Sequence, residues 1–170
     1  MINFLFNKSN DLLRDNYLFL IIFIGTVISI IKINFLPFSL TIDSYGYLEY
    51  ADNLLSRNDW QSRPIGYPIY LKLTRILNPF GYIFVIFFQL IIYVVSSALL
   101  YLTFRNFNKI VSFIFSIIFL LTPAFQWINF NILADAIYSF APILVFFYIY
   151  RYSINNKNIN FYLFFFSALL

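Results

Sequence analysis

Apolar residues fall along this chain in five runs separated by polar stretches, and the longest polar stretch follows the first run. Residues about 17–37, closed by Pro37, predict a first membrane span, and about 80–104 a second. A helix rising about 1.5 Å per residue needs about 20 residues to cross a hydrocarbon core of about 30 Å, and both runs are long enough. The third, about 110–128, has only the twelve residues Ile110 to Leu121 before Pro123, so it crosses only if AFQWI continues it past a kink. The fourth, about 132–150, opens with Asp135 in its first turn. A fifth run, 160–170, is half the length of a span, and the chain is therefore expected to be the amino-terminal fragment of a longer protein. The fold expected is all-α: one polytopic transmembrane helix bundle over residues 1–170.

The long interruption, 41–77, concentrates the charge. It holds Asp43, Glu49, Asp52, Arg57, Asp59, Arg63, Lys72 and Arg75, eight of the eighteen charged residues. At helical spacing Asp43, Tyr47, Tyr50, Ala51 and Leu54 share one face, and Tyr45, Glu49, Asp52 and Ser56 another. That pattern suits an amphipathic helix lying on the membrane surface. Next, RPIGYP (63–68) predicts an extended turn, because proline restricts the residue before it and Gly66 permits close backbone approach. A second amphipathic helix follows, with Ile69, Leu73, Ile76 and Leu77 on its apolar face and Lys72 and Arg75 away from it. The first outer loop thus carries two interfacial helices.

Composition narrows the class. With 62% hydrophobic, 24% aromatic and 11% charged residues, the chain is an integral membrane protein that has the lipid bilayer as its first partner. The absence of Cys and His excludes disulfides, thiolate chemistry, the usual zinc sites and imidazole acid–base work. The net charge of +4 does not make a nucleic-acid surface, since the basic residues sit at span boundaries. Placing the amino terminus inside puts Lys8, Arg14, Arg105, Lys109, Arg151 and Lys157 on the cytoplasmic face, as basic-residue bias requires. Loop 41–77 and segment 123–134 then lie outside, and Asp43 and Asp135 share that face. Lys32, near the outer end of the first span, reads as a stem reaching the headgroups.

Candidate chemistry gathers on the outer side. Asp43, at the start of its helix, is either a helix cap or a working carboxylate. Asp135, an isolated acid at the head of an apolar span, is either an exposed cap or a site residue. Arg63, Lys72 and Arg75 are either interfacial anchors or a cationic lip able to hold a phosphate.

The order DSYGYLEYADNLL, then RPIGYPIYL, then a second span resembles the start of GT-C class membrane glycosyltransferases. The bacterial branch similar to protein mannosyltransferases and aminoarabinose transferases is the nearest group. Ile65 stands where that family often has a second proline, and TPAFQWINFNILADAIYSFAPIL with Asp135 resembles its second acidic region. The resemblance covers about 17–150, and the family has more spans than this chain. It implies transfer of a sugar from a polyprenyl-phosphate donor to an acceptor on the outer face, with inversion at the anomeric carbon. Asp43 matches the catalytic base, Asp135 is the second candidate catalytic acid, and Tyr47, Arg63, Tyr67, Lys72 and Arg75 are candidate substrate-binding residues. The acceptor is not identified. No cofactor is expected, because two carboxylates supply few ligands for an oxygen-rich metal site, although some relatives hold a divalent ion near such acids. The rival readings are another envelope polysaccharide protein, such as a polymerase or flippase component, and a non-enzymatic membrane protein. Glycine-poor spans without internal acids argue against a transporter.

Overall fold

The computed structural model describes residues 15–35, 40–53, 65–77 and 82–155. Arg63 and the run 160–170 lie outside them. The elements are α1 (Asn16–Phe35), α2 (Ile42–Asp52), α3 (Gly66–Leu77), α4 (Ile83–Phe104), α5 (Lys109–Leu121), α6 (Pro123–Phe130), α7 (Asp135–Tyr138) and α8 (Phe140–Asn155). Among the described residues every element is helical. Three stretches are long and apolar enough to span a membrane: Asn16–Phe35, Ile83–Phe104 and Asp135–Ile154. The chain is a multi-pass membrane protein.

α1 and α4 form an antiparallel pair, and two features of the sequence bring them together. Gly25 lets the helices approach: a Cβ there would stand 2.9 Å from Val94 Cγ2 and 3.4 Å from Leu120 Cδ2. Where lipid is as apolar as leucine, such close backbone contact is what holds helices together. At the far end the Asp15 carboxylate, 9% exposed, accepts from the Tyr101 hydroxyl at 2.8 and 2.9 Å and from Arg105 Nη1 at 3.2 Å. This clamp joins the residue before α1 to the end of α4.

α5 runs back along α4, with Ser97 donating to the Ser116 carbonyl at 3.0 Å. Pro123 then breaks it, and α6 leaves at 54°. Proline removes one backbone donor and leaves carbonyls of the preceding turn without helical partners. The Tyr93 hydroxyl donates to the Phe119 and Leu120 carbonyls at 3.0 and 2.8 Å, and Gln126 Nε2 to Leu120 at 2.7 Å. Side chains thus meet the bonding requirement that a bilayer cannot meet. AFQWI is helical, as its place in the third run predicts, but it does not carry α5 straight onward. Leu120 lies beside Tyr93 and Asn131 beside Gln89, so eleven residues of chain advance only about 6 Å along α4. α6 lies obliquely across the bundle, and the chain then turns through α7 into α8.

Two packed cores result. One, around Ile21, Tyr93, Tyr101 and Leu120, fills the α1–α4–α5 contact. The other, around Leu48, Tyr67, Leu71, Val85, Phe130 and Ile132, joins α2 and α3 to the opposite end of α4 and to the chain after α6.

Candidate functional site

α2 begins with a capping box: the Ser44 amide donates to Thr41 Oγ1 at 3.2 Å, and the Thr41 amide to Ser44 Oγ at 3.0 Å. Thr41 is therefore the cap, and the capping alternative for Asp43 is corrected. A threonine in extended backbone two residues earlier satisfies the helix end. Asp43 stands exposed in the first turn, where a carboxylate still complements the helix dipole.

The Ser44 hydroxyl is buried and donates to the Ile132 carbonyl at 2.8 Å, across 88 residues of sequence. This bond fixes the turn bearing Asp43 against the chain that leads, three residues later, to Asp135. Asp135 is exposed and is the first residue of α7, whose cap, Ala134, makes no side-chain cap bond. Asp135 is therefore no N-cap either. Both acids belong to the same end of the bundle.

Beneath them lies a polar core. Tyr67 donates to Gln89 Oε1 at 3.2 Å, and Gln89 Nε2 to the Asn131 carbonyl at 2.8 Å. Gln89 is fully buried, and so is Tyr67 at 1% exposure. Tyr47 meets the Tyr67 ring edge-on at 5.0 Å, Tyr70 stacks with it at 5.6 Å, and Tyr70 donates to the Val85 carbonyl at 2.7 Å. Burial pushes the Tyr67 hydroxyl well above the usual phenol range, and Tyr70, Tyr47 and Asp135 add to the rise. Burial likewise raises Tyr70. Tyr67 is thus a neutral, enclosed donor that ties α2, α3 and α4 together. Tyr47, half-buried, lies between this core and the surface.

The predicted cations separate. Arg75 forms an ion pair with Asp52, tying α3 to α2, so its charge is already matched. Lys72 is exposed and has no salt bridge among the described residues. The apolar stripe of α3 points outward, with Ile69, Leu73 and Ile76 exposed, while Tyr67, Leu71 and Thr74 face α2 and α4. Among the described residues no three carboxylate side chains gather as metal ligands would.

Two further residues build this end of the molecule, Gln89 and Ser44. Gln89, the one amide in IFVIFFQLIIY, is the hub of the buried network, and an uncompensated amide inside a span was the available signal. Ser44 gave no signal beyond its place beside Asp43. Lys32 gains a contact that its position alone did not indicate: its ammonium lies 5.6 Å from the ring centre of Phe130, a member of the core under the two acids.

No family model matches the chain, and no match was found among curated proteins or solved structures.

Proposed function

We propose that this chain belongs to a membrane glycosyltransferase that moves a sugar from a polyprenyl-phosphate donor to a hydroxyl acceptor on the outer face. One observation carries the reading: the Ser44–Ile132 hydrogen bond, which joins the turn bearing Asp43 to the segment bearing Asp135. A transferase using such a donor needs a carboxylate to take the acceptor proton, a cation to meet the departing phosphate and an apolar margin for its lipid. The two exposed acids supply the first, Lys72 the second, and the outward stripe Ile69–Leu73–Ile76 the third.

In this reading α2 and α3 lie at the outer interface and the amino terminus is inside. Asp43 is the general base. It removes the acceptor proton as the acceptor oxygen attacks the anomeric carbon, and the bond to the lipid phosphate breaks on the opposite side of the sugar, inverting the centre. Asp135 orients the sugar or acceptor hydroxyls, and the nearby cation offsets charge developing on the phosphate. Arg75, paired with Asp52, serves the scaffold.

Asp43→Asn keeps size and polarity but removes the base, so sugar transfer should fall by roughly 10²–10⁴-fold while the protein accumulates normally in the membrane. The measurement is transfer of labelled sugar from a polyprenyl-phosphate donor in membranes containing either form. Unchanged turnover by Asp43→Asn would remove the assignment.

A further inference from the structure

The proposed function uses neither Lys32 nor the apolar groove along α1. Lys32 occupies the last turn of a membrane-length helix, is half-buried, and has no salt bridge among the described residues. A partly desolvated ammonium is costly unless an anion offsets it, and an aromatic face offsets only part. The Phe130 ring draws it toward the end of the bundle that carries the two acids.

The same helix lines a long apolar groove. Ile22, Ile30 and Ile33 of α1 face Phe87, Val94 and Leu102 of α4 across about 500 Å³ of almost wholly apolar space. From Phe87 to Leu102 the groove runs about 22 Å, most of the depth of a hydrocarbon core. It lies between two membrane-spanning helices, and its end at Ile33 is one residue from Lys32. An apolar track the depth of a bilayer core, with Lys32 next in sequence to the residue at its end and without a salt bridge among the described residues, suits a long-chain lipid with a single anionic headgroup.

We infer that Lys32 binds the phosphate of the polyprenyl-phosphate donor and that the α1–α4 groove holds the first part of its hydrocarbon tail. This rests on the glycosyltransferase reading for the class of lipid. It adds Lys32, on α1, to Lys72, on α3, as a cation serving the donor phosphate.

The test is photocapture by the full chain in phosphatidylcholine nanodiscs, with a photoreactive polyprenyl phosphate as probe and the uncharged polyprenol of equal length as control. Lys32→Gln should lower capture of the phosphate probe by roughly tenfold or more, the worth of one charge-assisted contact. Capture of the polyprenol should not change. Lys32→Arg should retain capture, and Ala98→Trp, which fills the groove from α4, should lower capture of both probes. Circular dichroism of each variant checks that the helices are intact.

Equal capture of the phosphate probe by wild type and by folded Lys32→Gln would overturn the inference while leaving the transferase reading standing. Displacement of the probe by phosphatidylglycerol as readily as by unlabelled polyprenyl phosphate would also overturn it, making the groove a seat for ordinary bilayer lipid. Failure of the wild type to capture the phosphate probe at all would remove the donor class, and both readings with it.

Discussion

Gln89 has no access to solvent, and its amide is used at both ends, accepting from Tyr67 and donating to the Asn131 carbonyl. A buried polar group left without a partner costs about 1–3 kcal/mol, which makes this amide the most consequential single side chain under the site. Gln89→Leu strands both partners and should destabilise the protein by about 2–4 kcal/mol. Tyr67→Phe strands only the amide oxygen and should cost about 1–2 kcal/mol. Because the two changes remove one shared bond, the double variant should cost less than the sum of the singles in thermal unfolding in detergent. Strict additivity would show that the bond contributes nothing. The sequence displays Gln89 as a lone amide among apolar neighbours, yet not its partners, which come from 22 and 42 residues away. Asp15 is similar: Arg105 reads as one more basic residue at a span boundary until the fold brings Tyr101 and Asp15 to it.

Among the elements, α2 and α3 depend most on tertiary contact, since α2 has eleven residues and α3 twelve, and helices so short are marginal alone. Their contacts are the Tyr47–Tyr67–Tyr70 stack, the Arg75–Asp52 pair and the Ser44–Ile132 bond. The stack makes this attachment sensitive to alkali. A phenol that holds its proton more tightly folded than unfolded stabilises the fold below the unfolded value of about 10 and loses that contribution as pH climbs above it. Tyr67 and Tyr70 are both raised by burial, so they should ionise later than a solvent-exposed phenol. Tyrosinate absorbance and circular dichroism followed together should show a late fraction of phenols titrating as helix is lost. Ionisation of all tyrosines in one early step, with no loss of helix, would contradict the stack. Periodicity located both helices in outline, but their inward faces escaped it. α3 turns its most apolar stripe, Ile69, Leu73 and Ile76, outward, and inward it packs Tyr67, Leu71 and Thr74.

For the whole molecule, the apolar runs read at 17–37, 80–104 and 132–150 coincide with the helical stretches Asn16–Phe35, Ile83–Phe104 and Asp135–Ile154, which are long and apolar enough to span a membrane. The third run was harder, because composition cannot tell a straight span with a kink from a helix that turns across the bundle at Pro123. That turn is what returns the chain to Ser44 and sets Asp135 at the end where α2 begins. The account depends on this end facing away from the cytoplasm, with the Asp15–Arg105 clamp at the other surface. The chain has no cysteine, so single introduced thiols report without background. Tyr45 and Asp135 are exposed at the acidic end, and Asn106 and Ser153 are exposed toward the clamp end. In intact cells a membrane-impermeant maleimide should label Tyr45→Cys and Asp135→Cys, and should reach Asn106→Cys and Ser153→Cys only after the membrane is opened. Labelling of Tyr45→Cys and Asp135→Cys from opposite sides, or of both only after opening, would contradict an outward-facing acidic pair.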